Sequence, residues 1–127
     1  QRLGNEPLAI CDTGHNIGGM QYIVGQLAST PHEKLHFIIG MVNDKDIDSV
    51  LGILPKDAEY YFTQASVQRA LAAESLAIKA GKVGLKGVVI TDVKEAYRKA
   101  RQNATKDDLI FVGGSTFVVA DLLKTDF

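Results

Sequence analysis

Residues 7–19, P-L-A-I-C-D-T-G-H-N-I-G-G, are the most informative stretch for the fold. They open with the apolar run 8–11, which is long enough for a buried strand but too short for a helix. Asp12, His15 and Asn16 then precede an amphipathic segment, so a carboxylate, an imidazole and an amide are expected in the turn between strand and helix. Open α/β sheets bind ligands in such turns. The same residues are equally compatible with a turn that only caps the following helix.

The rest of the chain alternates between strand-like and helix-like segments. Further strands are predicted at 35–40, 59–63, 87–91 and 107–112. Helices are predicted at 18–29, 47–54, 66–80, 92–100 and 115–123, and the polar residues 1–6 are predicted to be a linker. Because parallel strands need crossover connections, this order predicts an α/β, Rossmann-like three-layer sandwich. Its sheet is expected to have five to six mostly parallel strands with helices on both faces.

Composition excludes several function classes. The chain has 127 residues, 46% hydrophobic and 23% charged, which is typical of one globular domain over residues 1–127. A net charge of −1 argues against a nucleic-acid partner or an anionic membrane surface. No apolar run approaches the roughly 20 residues of a membrane span. Cys11 has no cysteine partner within the chain and lies in a predicted strand, so we expect a cytoplasmic protein.

Three motifs in register resemble one enzyme family. Residues 12–16, D-T-G-H-N, resemble the D-G-A-H-N signature that opens the C-terminal domain of folylpolyglutamate synthases and dihydrofolate synthases, members of the Mur ligase superfamily. Residues 38–46 resemble that family's strand and D-K-D turn, and residues 112–120 resemble its G-S-L-Y-x-V-x-E segment. The sequence departs from the family pattern at Thr13-Gly14 for Gly-Ala, at Gly18 near the usual proline, at Phe117 for tyrosine and at Asp121 near the usual glutamate.

The resemblance implies that the chain is the C-terminal domain of a larger monomeric enzyme. That enzyme would use ATP and Mg²⁺ to activate dihydropteroate or folate as an acyl phosphate, which the amino group of L-glutamate then attacks. The chain has no G-x-x-x-x-G-K-[ST] motif to cradle phosphates. The phosphate loop and most magnesium ligands are therefore expected in an N-terminal ATPase domain of the same chain. The isolated 127 residues are expected to be inactive.

The resemblance also assigns nucleotide contacts to the first turn. Asp12 is the counterpart of an aspartate that holds the ATP ribose, although a carboxylate there also suits the helix dipole. His15 is expected to be catalytic and to bind both the nucleotide and glutamate, at the place where phosphate, acyl group and glutamate meet. Asn16 is expected to bind the nucleotide. The alternative for His15 is a turn histidine bonded to backbone. His32 and His36 have no partner at metal-ligand spacing and are interpreted as structural, so no metal site is predicted.

The end of the chain is expected to hold glutamate. Ser115 and Phe117 match family residues with that role, and Ser115 is also a good N-cap. Phe117 keeps the aromatic ring of the family tyrosine but lacks its hydroxyl. The remaining residues predicted to form the cleft rim are Lys45, Asp46, Gly113 and Gly114, and for Lys45 and Asp46 a solvated charged turn is equally supported.

Because carboxyl ends of parallel strands share one edge of a sheet, the turns 12–16, 42–46 and 113–115 are expected to converge. Two other functions remain open at this point. One is a Mur-type ligase that adds an amino acid to a cell-wall precursor, and the other is a non-catalytic, flavodoxin-like binding module. The D-K-D and G-S motifs favour the folate enzymes.

Overall fold

The computed structural model describes residues 1–43 and 46–124, which form one six-stranded sheet with helices on both faces. The strands are β1 (Arg2–Asn5), β2 (Leu8–Cys11), β3 (Leu35–Ile39), β4 (Glu59–Phe62), β5 (Gly87–Val89) and β6 (Leu109–Gly113). The helices are α1 (Ile17–Ser29), α2 (Ile47–Ile53), α3 (Ala73–Lys82), α4 (Val93–Asn103) and α5 (Thr116–Leu123). The strand order is β1-β2-β6-β3-β4-β5, and only β1 runs antiparallel to its neighbour. The α/β prediction is confirmed.

Two hydrophobic clusters, one on each face of the sheet, make the three layers. Helices α1, α2 and α3 pack their apolar faces into one cluster together with Phe37 and Phe111. Helices α4 and α5 pack into the other together with Ile38 and Val112. All five residues of β3 and of β6 are buried, because these two central strands are covered on both faces.

The prediction of a linker at residues 1–6 is wrong. Residues Arg2–Asn5 form β1, which pairs antiparallel with β2 and carries an irregularity in register between Arg2 and Gly4. An edge strand hydrogen-bonds to one neighbouring strand and can do so without an apolar face. The polar sequence of β1 therefore lacks the alternation of apolar residues that predicts a strand. Cys11, at the end of β2, is buried as expected, and burial raises the pKa of its thiol.

The prediction of a helix from Ser66 to residue 80 is wrong in its first half. Helix α3 begins at Ala73, and residues 66–72 form bends, a turn and an isolated antiparallel bridge between Ala70 and Val42. Ser66 does not cap α3, and Ile78, expected to face inward, is 65% exposed. The apolar residues of segment 66–72 have helical spacing, but its backbone bonds to the loop after β3 instead.

A buried polar network lies at the end of the sheet opposite to Gly113. His36 near the start of β3 is fully buried, and its Nε2–H donates to Oδ2 of Asp108 over 2.9 Å. The hydroxyl of Tyr61 lies 2.9 Å from Nδ1 of the same ring. Burial by itself raises the pKa of the Asp108 carboxyl, but hydrogen bonds from His36, Thr105 and Lys34 outweigh it and lower the pKa to about 2.

The Asp108 carboxylate should therefore stabilise the fold above about pH 4 and lose that contribution as the pH falls toward 2. We expect Asp108→Asn to lower the free energy of unfolding by about 1–3 kcal/mol at neutral pH, because the buried donors lose a charged acceptor. Urea unfolding at several pH values should show the difference from wild type shrinking below pH 4. The matched change Asp107→Asn, at the exposed neighbour, should show no such trend, and a constant Asp108→Asn deficit down to pH 2 would contradict the assignment.

Candidate functional site

The three polar turns meet at one edge of the sheet because β6 lies between β2 and β3. Cys11 is in register with Val112, and Ile39 is in register with Gly113. The backbone continues these pairings beyond the strands. The N–H of Asp12 donates to the carbonyl of Val112 over 3.1 Å, and the N–H of Gly40 donates to that of Gly113 over 3.3 Å. The structure thus brings the turns after β2, β3 and β6 to one rim.

Gly114 allows these strand ends to approach each other closely. Its φ of +97° is a backbone conformation that residues with a Cβ rarely adopt. A Cβ at this position would lie only 2.5 Å from the carbonyl oxygen of Gly40. Gly114, predicted to line the rim, therefore has a packing role, since it lets the loop after β6 contact the loop after β3.

Ser115 follows directly and caps α5. Its Oγ accepts a hydrogen bond from the N–H of Phe117 over 3.1 Å, and the residue is 2% exposed. The capping alternative for Ser115 is thus realised in the structure. Phe117, in the first turn of α5, is 38% exposed, so its ring is accessible at the rim.

His15 and Ser115 share a cavity of about 280 Å³. The residues lining this cavity, called the His15 cavity below, are His15, Val42, Arg69, Ser115, Thr116 and Phe117. The ring of His15 is exposed, and its Nδ1 lies 3.3 Å from the carbonyl oxygen of Thr13. The two residues predicted to hold glutamate and the predicted catalytic residue therefore lie around the same space.

Arg69 is the member of this cavity that the sequence analysis missed. It falls within the helix predicted at 66–80, whereas in the structure it lies in the irregular segment 66–72. Its carbonyl accepts a hydrogen bond from the N–H of Asn43 over 2.8 Å, which fixes it beside the loop after β3. Among residues 1–43 and 46–124, no carboxylate lies within ion-pair distance of its guanidinium. The strand-end rule applied to β4 covers the residues directly after Phe62 and does not single out Arg69, seven positions further on.

Asp12 lies at the same rim but borders a different cavity. This cavity of about 260 Å³ lies between β2 and α1, and its lining includes Ile10, Tyr22, Gln26 and Phe111. Asp12 is exposed, and its Oδ1 accepts a hydrogen bond from the N–H of Gly14 over 2.8 Å. One carboxylate oxygen therefore shapes the turn.

Asn16 and Asp46 both stand at helix starts. Asn16 caps α1, with its Oδ1 accepting from the N–H of Gly19 over 2.8 Å. Asp46 occupies the N-cap position of α2. The prediction for Lys45 falls outside the described residues.

No three acidic, histidine or cysteine side chains gather into a metal-binding cluster within 1–43 and 46–124. We assign no ligand among these residues to the Mg²⁺ that the resemblance implies. Over the same residues, no helix has the length and apolar character needed to cross a membrane.

Comparison with known proteins identifies the class. The family model described as Mur ligase, glutamate ligase domain, matches residues 1–116, and the chain belongs to this family. A curated relative from Halobacterium salinarum, a probable bifunctional folylpolyglutamate synthase/dihydropteroate synthase, is 30% identical over 120 residues. That match covers 94% of this chain and 15% of the relative.

Two solved structures have the same fold. FolC of E. coli, in complex with ADP, has a TM-score of 0.87 and 28% identity, with 97% of this chain and 29% of that chain covered. A bifunctional folylpolyglutamate synthase/dihydrofolate synthase with Mn, AMPPNP and L-glutamate bound has a TM-score of 0.82 and 31% identity, with 94% and 29% covered. This chain therefore spans less than a third of each of these three relatives. Membership in the family favours the ligase interpretations over a flavodoxin-like module.

We expect Gly114→Ala to destabilise the domain by about 1–3 kcal/mol, because the new Cβ meets the Gly40 carbonyl in a strained conformation. Thermal or urea unfolding measures the change. Gly25→Ala, on the exposed face of α1 with open space around the new Cβ, is the matched control and should raise stability by up to about 1 kcal/mol. Equal stability of the two variants would contradict this role of Gly114.

Proposed function

We propose that residues 1–127 form the C-terminal domain of an ATP-dependent ligase that joins L-glutamate to the carboxyl group of dihydropteroate or folate. The observation that carries the proposal is the His15 cavity. It combines an arginine that has no carboxylate partner among residues 1–43 and 46–124, an exposed imidazole and the start of a helix, all at one rim of a mostly parallel sheet. All three favour anions, and both L-glutamate and an acyl phosphate are anionic.

The relatives support the choice of ligands. Their structures hold ADP in one case, and AMPPNP, Mn and L-glutamate in the other. We extend this to ATP as the phosphoryl donor of the present protein and to L-glutamate as the incoming amine. Because the matched relatives are more than three times as long, an ATPase domain elsewhere in the same chain is part of the proposal. ATP use also favours the cytoplasm as its location.

The chemistry joins two negatively charged reactants. The folate carboxylate attacks the γ-phosphorus of ATP, which releases ADP and forms an acyl phosphate. The amine of L-glutamate then attacks the acyl carbon, phosphate leaves with the bonding electrons, and the amine loses a proton. Holding the reactants together and compensating their charge supplies much of the rate enhancement of such reactions.

Each rim residue has a role in the proposal. Asp12 accepts hydrogen bonds from the ribose hydroxyls with the carboxylate oxygen that does not bond Gly14. Asn16 starts α1 beside the nucleotide. His15 donates to phosphate oxygens, and Arg69 pairs with a carboxylate of glutamate. Ser115 orders the first turn of α5, which presents its amides and the Phe117 ring to the same cavity.

We expect Asp12→Ala in the full-length ligase to raise the KM for ATP about ten- to a hundredfold, since charge-assisted hydrogen bonds to the ribose are lost. Steady-state kinetics with ATP varied at saturating glutamate measure this. Asp12→Asn keeps an acceptor for the Gly14 amide and should show a smaller increase. Asp57→Ala, an exposed aspartate before β4, is the matched control and should leave the KM for ATP unchanged. An unchanged KM for ATP in Asp12→Ala would refute the ribose contact.

The second prediction tests the site itself. Arg69→Ala should raise the KM for L-glutamate about ten- to a hundredfold and leave the KM for ATP within about twofold, because one charged pair with glutamate is lost. Arg69→Lys keeps the charge without the forked geometry and should recover part of the affinity. Arg101→Ala, on the exposed face of α4 beside Tyr97, is the matched control. A normal KM for glutamate in Arg69→Ala would exclude this cavity as the amino-acid site.

A further inference from the structure

Segment 66–72, which carries Arg69, has no regular secondary structure to hold it. On its inner side it is fixed by backbone hydrogen bonds to the loop after β3. The N–H of Asn43 donates to the carbonyl of Arg69 over 2.8 Å, and the N–H of Leu71 donates to the carbonyl of Met41 over 2.8 Å. These two bonds hold the backbone on either side of Ala70 but involve none of residues 66–68, which precede Arg69.

Ser66, the first residue of the segment, is held by Asp121 on α5. Both oxygens of this carboxylate accept from Ser66, Oδ2 from the backbone N–H over 2.7 Å and Oδ1 from the hydroxyl over 3.0 Å. The two residues are 55 positions apart in sequence. A carboxylate that receives a backbone and a side-chain donor from the same residue fixes both the position and the orientation of that residue.

Helix α5 thereby contacts the His15 cavity in two ways. Its first turn lines the cavity directly through Thr116 and Phe117. One turn after Phe117, Asp121 holds Ser66, three residues before Arg69. The same helix therefore lines the cavity and holds the segment that carries Arg69. A shift of Ser66 relative to α5 would change the distance between Arg69 and the start of the helix.

Stability alone is a poor explanation of these two hydrogen bonds. Ser66 is exposed and Asp121 is half-buried, so solvent screening weakens the contribution of these hydrogen bonds to the free energy of unfolding. The core contacts of α5 are made by Val118 and Val119, which are buried in the cluster shared with α4.

We propose that Asp121 is a positioning residue that sets the place of Arg69 through Ser66 and so controls the affinity for the carboxylate of the incoming amino acid. The proposal rests on the proposed function, in which Arg69 binds that carboxylate. Asp121 itself does not line the His15 cavity and is given no contact with substrate.

The test uses the full-length ligase and varies L-glutamate and ATP separately. Asp121→Ala should raise the KM for glutamate about five- to tenfold, while kcat and the KM for ATP stay within about twofold, since only the arginine is displaced. Asp121→Asn should stay close to wild type. Its Oδ1 can accept from the Ser66 N–H, and its Nδ2 can donate to the Ser66 hydroxyl.

A double variant gives the decisive comparison. If Asp121 acts through Arg69, then Arg69→Ala combined with Asp121→Ala should have the KM for glutamate of Arg69→Ala alone, a strongly non-additive result. Asp92→Ala is the matched control, because Asp92 also accepts a backbone N–H bond, from Glu95, and caps α4 near Asp121. It should lower the melting temperature and leave the KM for glutamate unchanged.

The outcomes separate the two proposals. If Arg69→Ala leaves the KM for glutamate unchanged, the assignment of the site fails and the positioning role fails with it. If Arg69→Ala raises that KM while Asp121→Ala does not, or if the two effects multiply, only the positioning role of Asp121 is overturned. Should Asp121→Ala fail to fold, Ser66→Ala removes the hydroxyl bond alone and should still raise the KM for glutamate about two- to threefold.

Discussion

Strand β6 pairs in parallel with β2 on one side and with β3 on the other, and this pairing positions the polar turns of the domain. It brings the turns that follow three strands, distant in sequence, to one rim. The pairing continues past the strand ends through the amides of Asp12 and Gly40, and it needs a glycine at 114 because a Cβ would meet the Gly40 carbonyl. The arrangement of the turns at this rim is therefore a direct consequence of backbone hydrogen bonding in the centre of the sheet.

The two ends of the sheet use polar groups differently. At the amino end, His36 and Asp108 are buried and bonded to each other, so their polar atoms have partners within the protein. At the carboxyl end, Asp12, His15 and Arg69 are exposed around cavities. Buried polar groups without partners are costly, which explains the complete pairing at the first end. The exposed groups at the second end remain accessible, and in our proposal His15 and Arg69 bind the anionic reactants there.

Helix α5 contributes to the rim both through its own residues and through its contact with segment 66–72. Ser115 starts it directly after β6, its first turn lines the His15 cavity, and Asp121 near its end holds the segment that carries Arg69. The family pattern has a glutamate near position 121, and the shorter aspartate here reaches Ser66 with both oxygens. In our proposal, this arrangement makes the amino-acid affinity depend on a residue that does not touch the amino acid.

The α/β class, the strand that precedes Asp12, the caps at Asn16 and Ser115, and the convergence of the turns after β2, β3 and β6 could all be predicted from the sequence alone. These features follow from local apolar runs, capping side chains and the rule that parallel strand ends share an edge. The edge strand at residues 2–5 and the non-helical conformation of segment 66–72 became visible only in the tertiary structure. Both depend on backbone hydrogen bonds to partners distant in sequence, which side-chain periodicity does not record, and Arg69 was missed for that reason.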